Sequence, residues 1–257
     1  MSEQPDSLDS PAQKPMSMAG KAAGIFYKPS QVFDSLMTSG VKFLDWFIPL
    51  VLVLVIAGVS SYVQLSTPAL RMQIVQQREE AITKAEAKGE ITADQASQGR
   101  QMIVDNISSA SAFAVVLRIT TVTIVLLIEF FVVSLVWFLV GRLALNSSFD
   151  YSKGLAVTGL SYWITGVGLI VAIVIAVVSS RLDGGVHLGM LVPINSRSLS
   201  YSILSRLNLF TIWSLIIVSI GMGAQSGKKK MTAGAWVFGI WIVWEAVSIF
   251  FEHAMHG

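Results

Sequence analysis

The chain has 257 residues, of which 53% are apolar and 13% charged, against about 25% charged in an ordinary soluble domain. Lys plus Arg is 18 and Asp plus Glu is 16, a net charge of +2, which is too small an excess for the basic face that nucleic-acid binding needs. With no Cys, disulfide frameworks, cysteine zinc sites and cysteine catalysis are excluded.

Residues 1–19 open with a polar, acidic run carrying Asp6 and Asp9. They lack the charged-then-apolar pattern of a cleavable signal. A disordered cytoplasmic tail is expected here, with the first apolar span retained as the insertion signal. Residues 20–42 read as an interfacial amphipathic segment. Pro29 and Ser30 offer a helix start, with Ser30 as the capping oxygen, and Val32, Phe33 and Leu36 share one face. Lys21 and Lys28 are placed to reach anionic headgroups.

Five apolar stretches follow, at about Trp46–Gln64, Ala114–Val140, Leu155–Val178, Leu207–Gly223 and Ala233–Phe251. Each approaches the roughly 20 residues that a helix needs to cross about 30 Å of hydrocarbon. The fourth is the shortest and has an alternative start near Ile203. Runs such as IVLLIEFFVVSLVWFLV do not alternate as barrel strands do, and a helix satisfies its own backbone in lipid. The fold class is therefore all-α: residues 43–257 form a polytopic domain of five transmembrane helices.

Between spans one and two, residues 69–108 read as an extramembrane helical hairpin. The first arm, about Ala69 to Ala87, is rich in helix formers, Gly89 breaks it, and Thr92 with Gln95 matches a capping box for the second arm. Leu70, Ile74 and Ile82 are placed to meet Met102, Ile103 and Ile107. The hairpin is either a solvated spacer or a contact site for another protein. The segment 179–206 carries turn signals at Asp183-Gly184-Gly185 and at Pro193, and its Leu188, Met190, Leu191 and Val192 suggest that it folds back onto the bilayer surface.

With five spans the termini lie on opposite sides, and nine cations fall on each. Density breaks the tie. Lys228, Lys229 and Lys230 are consecutive and close to two spans, Lys42 adjoins the first, and six acids offset the cations of the long hairpin loop. The positive-inside rule then puts the N-terminus in the cytoplasm and the C-terminus outside. The three lysines are basic anchors that also face lipid headgroups.

Glu129, near the middle of span two, and Glu245, in span five, are the candidate intramembrane polar residues. A charge at that depth is costly and marks function by default; the plainer reading of each is an interhelical hydrogen bond. Glu245 is expected to pair with Arg206 or Arg118, while an aqueous interface suffices for Asp45 at the start of span one. Gly168, Ala172, Ala176 and Ser180 recur every four residues, the spacing of a helix-packing seam.

No catalytic, cofactor or metal residue is assigned. Gly221 and Gly227 are one residue too far apart for a P-loop, and Lys229 follows Lys228 where Ser or Thr is needed. Glu252, His253 and His256 do not form the H-E-x-x-H pattern, and no Ser, His and Asp share one membrane depth.

The segment Phe26-Tyr27-Lys28-Pro29-Ser30-Gln31-Val32-Phe33-Asp34-Ser35-Leu36 is similar to the Pro-centred lead-in of the bacterial Yip-domain membrane proteins, relatives of the eukaryotic Ypt-interacting proteins. Leu207-Asn208-Leu209-Phe210-Thr211-Ile212-Trp213 with Gly221-Met222-Gly223 resembles their fourth-span signature, and Tyr151-Ser152-Lys153-Gly154-Leu155-Ala156 their lead-in to the third. The resemblance covers about residues 25–251. It implies a five-helix bundle, a cytoplasmic N-terminus and no catalysis. Eukaryotic members act in vesicle traffic with small GTPases, but the Asp-Leu-Tyr-Gly-Pro element of that branch is missing here, so no GTPase partner is carried over. Some bacterial members accompany ABC-type exporters.

Two readings follow. The first is a non-enzymatic protein of the bacterial inner membrane that binds and organises other membrane proteins, as an accessory subunit of an ABC-type exporter. Its partners are then lipids, exporter or adaptor subunits and further copies of itself. The second is a small-solute transporter or channel with Glu129 in the path, although transporters more often show two similar halves. A third, membrane shaping, rests only on residues 20–42. The Cys-free background makes the topology directly testable: a single cysteine at Gln98 is expected to label from outside the cell and one at Gly227 is not, and the reverse pattern would invert the orientation.

Overall fold

The computed structural model describes residues 16–108, 111–182, 184–192 and 198–256. The turn markers Asp183 and Pro193 and most of the expected N-terminal tail lie outside them. Among the described residues ten α-helices follow in order: α1 (Met18–Tyr27), α2 (Pro29–Ser39), α3 (Phe43–Ser66), α4 (Pro68–Ala87), α5 (Ala93–Met102), α6 (Ala112–Leu139), α7 (Tyr151–Ser179), α8 (Leu199–Arg206), α9 (Leu209–Ser226) and α10 (Lys230–His256). A π-helical turn, Ile103–Ser108, prolongs α5, and another, Val140–Ala144, prolongs α6. No strand occurs among the described residues; a single bridge joins His187 to Asn208.

Five helices, α3, α6, α7, α9 and α10, are long and apolar enough to cross a membrane, so this is an integral membrane protein. The long α7 is the hub, packed against α1, α3, α6 and α9. Glycines make this closeness possible. A Cβ on Gly159 would overlap the Trp46 backbone of α3, and one on Gly154 would lie 2.5 Å from the Ser134 carbonyl oxygen of α6. The fourth span begins at Leu209 rather than near Ile203, because Asn208 caps α9 through its side-chain oxygen, which accepts from the Phe210 and Thr211 N–H groups. At the start of α7, Asp150 accepts from the Lys153 N–H at 3.0 Å. Burial pushes its carboxyl up, but the Ser152 hydroxyl, the Lys153 N–H and the Lys153 charge outweigh that and hold it below its ordinary value.

The N-terminal segment departs from the sequence expectation. Helix already begins at Met18, where Ser17 accepts from the Gly20 N–H, so residues 20–42 are not one lead-in but two helices broken at Lys28. Ser30 does not cap: Pro29 takes the first helical position, and the Ser30 hydroxyl accepts from Lys230 at 2.7 Å. The expected lipid-facing stripe faces protein instead. Val32 and Phe33 are wholly buried and Leu36 is 2% exposed. A Cβ on Gly221 of α9 would stand 2.7 Å from the Phe33 ring, and Gln225 donates to the Phe33 carbonyl at 2.9 Å. The same face cannot insert into a bilayer, which removes the basis of the membrane-shaping reading.

Asp45 and Lys21 are corrected for the same reason. Neither meets an aqueous interface or a headgroup. Lys21 donates to Asp45 Oδ1 at 2.6 Å, with both side chains 4% exposed, while Asp45 Oδ2 accepts from the Lys42 N–H at 3.0 Å. This pair locks α1 to the start of α3. Substituting Lys21→Ala strands a buried carboxylate and is expected to lower unfolding stability in detergent by about 3–5 kcal/mol, whereas Lys21→Met combined with Asp45→Leu removes both charges and is expected to recover most of the loss. A Lys21→Ala protein as stable as its parent would refute the role of the pair.

Candidate functional site

The stripe Arg118, Val122, Leu126, Glu129, Val133 and Trp137 repeats every three or four residues along α6, and all six line one cleft of about 460 Å³. From Arg118 to Trp137 the stripe runs about 28 Å at 1.5 Å per residue, close to the thickness of a hydrocarbon layer. Three further helices border the cleft. Ser60, Ser61 and Gln64 come from α3; Thr158, Ser161, Tyr162 and Thr165 from α7; Thr211 and Ser214 from α9.

Some of these polar groups are spent within their own helix. Thr158 donates to the Gly154 carbonyl at 3.0 Å, and Ser161 to the Thr158 carbonyl at 2.7 Å. Others are not. The Ser60 hydroxyl, the Arg118 Nε and the Trp137 Nε1 are buried atoms without a hydrogen-bond partner among the described residues, and all three belong to cleft residues. Glu129 is exposed, midway along α6, with no hydrogen bond or ion pair among the described residues. Beside it, Phe130 stacks on Trp46 at 5.9 Å and meets Tyr162 edge-on at 5.2 Å, which fixes the α6 register against α3 and α7. A carboxylate at this depth, in the same cleft as unspent donors, is suited to meeting a polar group brought by something else in the membrane.

The other sequence candidates are distributed elsewhere. Glu245 accepts from Arg206 at 3.0 Å, and Glu252 accepts from the same guanidinium at 3.1 Å, so the two carboxylates tether α8 to α10. Arg118, the alternative partner, instead donates to Gln64 at 2.6 Å. The His253 ring nitrogen Nδ1 lies 3.0 Å from the Ile249 carbonyl oxygen, while the side chain of His256 lies outside the described residues. Lys228 and Lys229 are exposed in the turn between α9 and α10, where Gly227 takes a left-handed φ of 66°. Lys230, at the head of α10, reaches back to Ser30.

The Gly168, Ala172 and Ala176 seam receives two different neighbours. A Cβ on Gly168 would stand 2.8 Å from the Cβ of Phe210 on α9, whereas Ala172 and Ala176 accept the returning turn at Gly184. Ser180 ends α7 in a left-handed conformation with φ 55° and does not continue the seam. The tighter helix contacts at Gly154 and Gly159 were not anticipated from the sequence, nor was the clustering of hydroxyls. The signal for the hydroxyls is visible in retrospect, because Thr158, Ser161 and Thr165 recur at helical spacing on α7.

A water-filled cleft promotes thiolate formation, which lipid does not. A cysteine introduced at Thr165 is therefore expected to react with a small aqueous thiol reagent about tenfold faster than one at Val174, which is 56% exposed on the same helix. Equal rates would show the cleft to be dry. Family models, curated proteins and solved structures were all compared with the chain, and none matches.

Proposed function

We propose that this chain is a non-enzymatic integral membrane protein that binds and organises other membrane proteins, as an accessory subunit of an export system. The observation that carries this reading is Glu129. It stands exposed at mid-membrane with no hydrogen bond or ion pair among the described residues, flanked by the exposed apolar residues Ile128 and Val132. Isolated carboxylates are strongly disfavoured against lipid, so a polar group on a partner helix is the natural cover for this face. The outermost helix adds support: only 6% of the α10 span is buried, against 28–44% for the other four, which leaves one flank of the bundle open to a neighbour. The resemblance of residues 26–36 and 207–223 to Yip-domain proteins agrees with a binding role. On this reading the protein resides in a bacterial inner membrane with its N-terminal side in the cytoplasm.

Photo-crosslinking side chains at Ile128 and at Val132 in native membranes are expected to capture a second membrane protein, and one at Val174 is not. Products containing only lipid or only this chain would overturn the reading. The cleft supports the alternative of a small-solute transporter or channel with Glu129 in the path. That alternative expects solute movement by the purified protein in proteoliposomes, abolished in Glu129→Gln.

A further inference from the structure

We propose that the hairpin side of the bundle binds one anionic phospholipid, its phosphate between Arg78 and Arg118 and an acyl chain in the groove between the hairpin and the first turns of α6. Four observations lead there. First, α4 does not stand away from the bundle. Gln73 donates to the Ser180 carbonyl at 2.6 Å and accepts from the Leu182 N–H at 3.1 Å, so α4 lies across the ends of the spans. This folding-over brings Arg78 to the same cavity as Gln64 and Arg118. Second, among the described residues no carboxylate lines that cavity or the adjoining groove, so the two guanidiniums converge with no counter-charge from those residues.

Third, the Arg118 Nε is buried without a hydrogen-bond partner among the described residues, although a terminal nitrogen of the same guanidinium is bound to Gln64. One edge of the group is spent and donors remain, and guanidinium geometry matches phosphate oxygens. Fourth, both guanidiniums also line a groove of about 740 Å³ whose walls include Ile82, Ile103, Ile107, Phe113 and Leu117. A site that joins paired cations to an apolar trough is complementary to an anionic head with a hydrocarbon chain. The depth fits as well. Gln64 is two residues from the end of α3 and Arg118 lies about 9 Å from the start of α6, within reach of the headgroup region of the bilayer. A free phosphate shares the head chemistry but has no use for the groove.

Native mass spectrometry of the full chain in detergent, titrated with phosphatidylglycerol or phosphatidylcholine, tests this. The unmodified protein is expected to retain one phosphatidylglycerol with about tenfold preference over phosphatidylcholine. Arg78 is exposed, so its replacement leaves the packing intact: Arg78→Gln is expected to bring the two lipids within about twofold, and Arg78→Lys to restore most of the preference. Phosphatidylglycerol that stays bound in excess inorganic phosphate supports a lipid site. Displacement by phosphate, with phosphate itself retained, would reassign the site to a free anion and overturn the proposal. Equal binding of the two lipids by the unmodified protein, or a preference unchanged in Arg78→Gln, would also overturn it.

Discussion

Inside a bilayer a polar group has no water to fall back on, and the architecture is organised around meeting that demand from within the chain. Hydroxyls in the spans bond the carbonyl one turn earlier, as Thr121 does to Leu117, Ser134 to Phe130 and Ser219 to Leu215. Charges are handled between helices. Lys21 and Asp45 neutralise each other in the interior, and Arg206 serves two carboxylates of α10. Each of these ion pairs also fastens one element to another, so for the charges polar satisfaction and helix placement are the same event. The glycines then set how near the helices come, with Gly159 against Trp46 and Gly154 against Ser134 at the hub.

Against that background the exceptions carry the functional information. Glu129, Ser60, Trp137 and Arg118 share one cleft; among the described residues nothing hydrogen-bonds the Ser60 hydroxyl, the Trp137 Nε1 or the Arg118 Nε, and Glu129 has no hydrogen bond or ion pair. They fall on one face of α6 or directly across from it, so a single visitor could address several at once. Arg118 has a second affiliation through Arg78. It is thus the point at which the transmembrane cleft meets the surface groove under the hairpin.

Much of the fold was legible from the residues. The spans follow from unbroken apolar runs of bilayer length. The second hairpin arm follows from Thr92 and Gln95, whose reciprocal capping bonds are present at 3.2 and 2.9 Å. The Arg206–Glu245 pair follows from matching depth. What was not legible depends on chain that returns from far away. An apolar stripe at Val32, Phe33 and Leu36 looks the same whether protein or lipid covers it. Lys21 and Asp45 are separated by the break at Gly40, whose φ of 70° turns the chain. Arg78 and Arg118 meet only because α4 folds over. The hydroxyls of the cleft had a visible period, but a hydroxyl can always bond its own helix, so spacing alone does not announce a cavity.

The lock on the N-terminal segment has a consequence for how the protein is made. Phe33 is gripped by Gln225 and Ser30 by Lys230, partners 192 and 200 residues later in the chain. Synthesis runs from the N-terminus, so α1 and α2 leave the ribosome first yet cannot reach their final seat until α9 is in place and α10 has begun. Throughout that interval the apolar face of α2 lacks its α9 cover, so these two helices settle later than their place in the chain suggests. Closure of this long-range contact therefore has to wait for the fourth span and the head of the fifth.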